Sequence, residues 1–294
     1  MNKNHKWLYW LLAVLASSII ILGRIGSIPV SADSNYQHQI LEPAEDSPEL
    51  VTLDFLDLIK GAVQYIQVSN ISDEQEVEIG KQTNEQILSQ YSLYDNPQVQ
   101  KYVSSLGQEL IRNSDSRDIP FVFQVVASDE VNAFATPGGF VYVTIGLLKT
   151  AENRAQLASV VGHEIAHINE RHGVKGLKQA VAAKGIASTV GVDSDVIAQL
   201  AYQLTVDLPR SRSFEYEADS SGLKILQQAG YPGEAFADFL VKLESGGGTP
   251  EFIRTHPTSK NRIEAISQTA TKNQVATNKG QDRTEYRNNV LALL

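Results

Sequence analysis

"GHEIAHINERHG", residues 162–173, is the stretch on which the reading of this chain turns. His163 and His167 stand four residues apart, and Glu164 follows the first. On an α-helix, side chains at i and i+4 share a face, so two imidazoles there can aim at one ion. The Glu164 side chain is rotated by about 100° from that of His163. It is poorly placed to bind the same ion but can reach a water held on it. This is the H-E-x-x-H arrangement of a metal-dependent hydrolase, two ligands and a general base. Leu157, Val160, Val161 and Ile168 form an apolar stripe beside it. The segment from about 152 to 172 therefore reads as a core helix with histidines on its flank, ended by Gly173.

A catalytic zinc of this kind takes three protein ligands. An H-E-x-x-H-x-x-G-x-x-H site needs glycine and histidine three and six residues after His167, where this chain has Glu170 and Gly173. The remaining arrangement takes a glutamate from a later helix. "FEYEAD", residues 214–219, supplies Glu215, Glu217 and Asp219. Glu215 and Asp219 share a helical face, and Glu217 points away. Glu215 is then the third ligand. Asp219 becomes the acceptor for the N–H of a ligating histidine, fixing its tautomer. Taken alone, the same segment would read as a solvated acidic face.

Composition narrows the classes further. The 294 residues carry a net charge of −9, which argues against nucleic acid or an anionic membrane surface as the main partner. Cysteine is absent, so disulfides and thiolate metal sites are excluded, and a zinc site must use His, Asp and Glu. Lys3 and Lys6 precede an uncharged run over 7–23, and Val30 and Ala32 sit at the small-residue positions of a cleavage site. Residues 1–32 are expected to be a signal peptide or an N-terminal membrane anchor, and either places the protein outside the cytoplasm. Residues 33–52 read as a linker, 53–270 as the folded domain and 271–294 as a polar tail whose last residues could dock. Helical patterns dominate from Leu53 to Tyr102, with a capping box at Ser72 and Gln75. "PFVFQVVAS" (120–128) and "GGFVYVTIG" (138–146) read as strands, joined by a loop over 129–137.

Four separated motifs resemble the zinc metallopeptidases that include the HtpX-type quality-control peptidases and the CAAX prenyl endopeptidases, most nearly their soluble periplasmic BepA-like branch. They are "NAFATPGGFVYVTIGLL" (132–148), "GHEIAHINERHG", "RSFEYEAD" (212–219) and "THPTSKNRI" (255–263). The resemblance implies a mainly helical, zincin-like α+β fold with a small sheet flanking the H-E-x-x-H helix. It implies one zinc per chain and hydrolysis of polypeptides, in particular misfolded or damaged envelope proteins. It places a strand edge of "GGFVYVTIG" along the cleft, where substrate backbone can pair with it. Asn132, Ala133, Gly138 and Gly139 would shape the mouth. It also brings His256 near zinc, either to stabilise an oxyanion or to occupy the open zinc position. Arg212 is expected to pair with nearby acids, and His172 to be structural. The rival reading is a non-proteolytic chaperone or assembly factor with a closed zinc site. Membrane association is expected only through the N-terminus, and nothing in the sequence sets the oligomeric state.

Overall fold

Local side-chain caps start several helices of this chain. In the computed structural model, which describes residues 70–183, 194–246, 249–272 and 277–294, the first is α1 (Asp73–Gln90). Ser72 Oγ accepts from Gln75 N at 3.2 Å and Gln75 Oε1 accepts from Ser72 N at 2.9 Å, which closes the capping box. Asn96 caps α2 (Pro97–Arg112), with Pro97 at its first position. The targeting segment, the linker and the helical pattern read before residue 70 lie outside the described residues.

Three strands follow α2: β1 (Val122–Val126), β2 (Ala133–Ala135) and β3 (Phe140–Thr144). Their order is β1-β3-β2, with β1 parallel and β2 antiparallel to β3. β3 is therefore the middle strand, and the edge next to the metal site belongs to β2, a segment whose sequence reads as loop. β2 escapes a periodicity argument because it is three residues long, alanine-rich and buried throughout. Backbone bonds from Thr144 N to Asn132 O and from Thr136 N to Phe140 O set its phase. In that phase the N–H and C=O groups of Ala133 and Ala135 point away from β3.

Next come α3 (Ile145–Thr150), α4 (Arg154–Asn169), α5 (His172–Ala183), α6 (Ser194–Tyr202) and a π-helical turn over Gln203–Asp207. α4 is capped by Asn153 and is buried on every face from Ala155 to Ile168, not along one stripe. It packs against α2, β2, α7 (Arg212–Gln228) and α8 (Glu234–Ser245). Leu157, Val161, Ile165, Leu226 and Phe239 belong to this one core, each worth about 1.5–3 kcal/mol when fully buried. α4 ends before the expected Gly173. Arg171 turns the chain with φ 56° while its side chain donates to Ile71 O and pairs with Glu76. Gly173 instead lets α5 approach Pro137, whose Cγ would lie 2.6 Å from an added Cβ.

α9 (Glu251–Thr255), α10 (Lys260–Lys272) and α11 (Arg283–Asn289) complete the described helices. The C-terminal residues from 277 onward pack on the domain. Tyr286 and Val290 are buried, Tyr286 donates to Leu148 O, and Asn96 donates to Leu293 O. Among the described residues no helix is long and apolar enough to cross a membrane.

Candidate metal centre

The site lies where α7 crosses α4. Gly222 makes the crossing close, since a Cβ there would meet His163 Cα at 3.1 Å and His163 N at 3.2 Å. About two turns earlier on α7, Glu215 faces the two histidines. Its Oε2 lies 3.5 Å from His163 Nε2 and its Oε1 3.4 Å from His167 Nε2. The two Nε2 atoms are 3.1 Å apart. His256, which ends α9, completes a group of four whose donor atoms all lie within 4.8 Å of one another. All four side chains are buried.

The partners of this group are ordered. His163 Nδ1 lies 3.1 Å from Asp219 Oδ1, and the Arg262 fork grips Asp219 through Nε at 2.5 Å and Nη2 at 2.7 Å. Arg262 is buried, and its Nη1 reaches Glu215 Oε2 at 2.8 Å and the carbonyls of His256 and Pro257. Glu164 is fully buried beside the group, with Oε1 3.2 Å from His256 Nε2 and Oε2 3.9 Å from Arg210 Nη2. Arg210 also donates to His256 Nε2 at 2.8 Å and to Ala135 O at 3.4 Å. His167 turns its Nδ1 toward His172 Nδ1, 2.8 Å away, and His172 Nε2 contacts Glu217 at 3.0 Å. Glu217 thus points toward His172 and Lys175, off the face shared by Glu215 and Asp219.

Charge balance explains the ionisation states. Burial drives the Glu215 carboxyl up, but His256, His163 and His167 outweigh it and hold Glu215 well below the usual carboxylate range. Burial likewise opposes ionisation of Glu164, and His256, Arg210 and His163 overcome it. Burial lowers His163, yet Asp219 and Glu215 more than compensate and raise it to about 9. Burial and the Arg210 charge press His167 well below its ordinary value, and the same two causes lower His256. Burial also lowers His172, so its charge is not favoured there, unlike the helix C-terminus at which the sequence placed it.

These residues fit a divalent cation. Both oxygens of Glu215 and both of Glu164 are buried and accept no well-aligned hydrogen bond, although Arg262 Nη1 lies 2.8 Å from Glu215 Oε2 and His256 Nε2 3.2 Å from Glu164 Oε1; a cation or water between them would complete their partners. The donor set is imidazole and carboxylate, which suits zinc. Metal binding would release the His163 proton, as ligand histidines must be neutral.

The structure separates the remaining candidates. Asn132 and Ala133 are buried beside the site, where Asn132 Oδ1 lies 3.5 Å from Thr255 Oγ1. Gly138 and Gly139 lie in the turn that joins β2 to β3. Both have positive φ, at 77° and 99°, and their open sides are filled by the Glu76 and Pro120 carbonyls, which an added Cβ would meet at 2.5 and 1.9 Å. Arg212 sits at the start of α7, and the arginines that reach the site are Arg210 and Arg262. Arg210 carries no motif signal beyond lying two residues before Arg212. A cleft of about 370 Å³ opens next to His167 and Arg210. Ile168, Gly176, Ala201, Leu204 and Phe214 give it an apolar lining, and Ala135 brings in the β2 edge.

The chain is 32% identical over 212 residues to "Beta-barrel assembly-enhancing protease" of Escherichia coli (strain K12), covering 66% of this chain and 44% of that protein. It is 30% identical over 272 residues to the protein of the same name in Yersinia pestis, covering 86% and 52%. It is 28% identical over 222 residues to "Mitochondrial metalloendopeptidase OMA1" of Schizosaccharomyces pombe, covering 70% and 66%. The chain thus spans about half the length of the first two relatives. Residues 97–270, which hold all four members of the donor group together with Glu164, Arg210 and Arg262, match peptidase family M48, and the chain belongs to that family.

Proposed function

We propose that this chain is a zinc-dependent metalloendopeptidase that hydrolyses peptide bonds in polypeptides outside the cytoplasm, misfolded or damaged envelope proteins among them. One observation carries the reading: His163, His167 and Glu215 converge within 4.8 Å beside the fully buried carboxylate of Glu164. The names of the relatives support the reaction class and, through β-barrel assembly, an envelope setting. The uncharged N-terminal run supports export.

His163, His167 and Glu215 would hold the zinc, which would supply Lewis acidity to a water and to the substrate carbonyl. Glu164 accepts the proton of the attacking water and passes it to the departing amine. Its ionised state at neutral pH suits it to be the base. Asp219, gripped by Arg262, holds the His163 ring with Nε2 toward the site. The outward backbone groups of Ala133 and Ala135 offer an edge on which an extended substrate can pair. The apolar cleft beside them receives a side chain next to the scissile bond. Arg210 now occupies Ala135 O, so an incoming strand displaces it.

His256 supports a second reading. As a fourth donor it would fill the position that a catalytic zinc leaves open, which is the closed site of a chaperone or assembly factor. Cleavage of casein decides between them. The peptidase reading expects cleavage that is lost in Glu164→Gln while bound zinc is retained. Stoichiometric zinc without cleavage of any unfolded protein defeats it.

A further inference from the structure

The hydrogen bonds of His167 continue away from the donor group. His167 Nδ1 meets His172 Nδ1 at 2.8 Å, His172 Nε2 meets Glu217 Oε2 at 3.0 Å, and Lys175 Nζ donates to both Glu217 oxygens at 3.2 and 3.1 Å. His172 is 3% exposed and its ring stacks on Phe214, with centroids 4.5 Å apart and 15° between planes. With neutral rings, one pattern satisfies every link and leaves His167 Nε2 free to face Glu215. His167 Nδ1–H donates to His172 Nδ1, and His172 Nε2–H donates to the Glu217 carboxylate. Each ring nitrogen is assigned by its neighbour, and the chain of bonds ends on a charge pair.

We infer that His172, anchored by Glu217, is a positioning residue that fixes the tautomer and ring orientation of His167, so that His167 presents Nε2 to the ion. The inference rests on the metal-centre reading above and extends it to His172, which the sequence marks as structural, and to Glu217, which points off the ligand face. It also gives the site a matched construction. His163 is held through Nδ1 by Asp219 and Arg262, and His167 through Nδ1 by His172 and Glu217. The two arms differ in burial. Arg262 and Asp219 are enclosed, whereas the side chains of Glu217 and Lys175 are 42% and 40% exposed. The His167 arm is the one that surface chemistry can reach.

His172→Phe tests this cleanly, because phenylalanine keeps the stack on Phe214 and removes both nitrogens. Zinc affinity is measured by chelator competition in a Glu164→Gln background, alongside long-range ¹H–¹⁵N spectra of the histidine rings. The expected result is zinc affinity about 10–100-fold weaker, the usual cost of losing such an outer partner. His167 changes from a single Nδ1–H tautomer to a mixture, while the His163 signals stay in place. His172→Gln, whose amide oxygen still accepts, recovers part of the loss. A folded His172→Phe protein that binds zinc as tightly as its parent, with the His167 tautomer unchanged, overturns the inference alone. Failure of the parent to bind zinc overturns the metal-centre reading with it. If His172→Phe does not fold, Glu217→Ala serves instead: weaker zinc binding is expected, and unchanged binding with an unchanged His167 tautomer overturns the inference.

Discussion

Arg262→Leu is the most demanding perturbation of this site, because one buried guanidinium answers two buried carboxylates. Arg262 is 1% exposed, Glu215 is fully buried and Asp219 is 4% exposed. Replacing the arginine leaves both acids, and the carbonyls of His256 and Pro257, without that donor. Breaking a buried pair from one side costs about 3–5 kcal/mol. For a domain of this size that lowers the melting temperature by about 2–4 °C per kcal/mol, or about 6–20 °C in total. Arg254→Leu is the control. Arg254 pairs with Glu251 across a half-exposed surface, where the loss is about 0–1 kcal/mol. The assay is thermal and urea unfolding, with chelator and with zinc. Zinc narrows the Arg262→Leu deficit, since the ion answers Glu215, but leaves Asp219 stranded. Adding Asp219→Asn to Arg262→Leu removes that stranded charge, so the double variant is less damaged than the two single losses summed. The reasoning is refuted if Arg262→Leu behaves like Arg254→Leu, or if the two substitutions simply add.

Two further outcomes follow from the geometry. At Gly176 an added Cβ meets only Leu204 Cδ1, at 3.8 Å, so Gly176→Leu fits its helix and projects into the cleft; the melting temperature should hold or rise by the helix-propensity gain of up to about 1 kcal/mol, while cleavage of fluorogenic peptides falls and bound zinc is unchanged, and undiminished cleavage would show that the cleft receives no substrate. Burial tends to raise the Glu109 carboxyl, but Lys279 and Arg154 outweigh it and hold the group below its ordinary 4.5. Its stabilisation is therefore complete above that value and is lost as pH falls through the lower folded one; urea midpoints of wild type and Glu109→Gln should converge on acidification, and a gap that stays constant would contradict the assignment.

Local chemistry is what the sequence alone could determine. Whether His163 and His167 share a face depends only on helical geometry across four residues. Ser72, Asn96 and Asn153 cap helices through bonds spanning two or three residues. β1 and β3 were legible because valine-rich runs between turn residues need no distant partner to be recognised, and the α+β class followed from the resemblance of four motifs to a known family. The tertiary structure alone decided the rest. The sequence names Glu215 as the third ligand, but its meeting with the histidines across 48–52 residues rests on the close crossing at Gly222. Arg210 reaches His256 across 46 residues and Ala135 across 75, and no spacing rule distinguishes it from Arg212. β2 becomes the edge strand through its partner β3, not through its own three residues. His172 has the sequence of a helix end and the hydrogen bonds of a metal-site support, because where a ring nitrogen points depends on what packs against it.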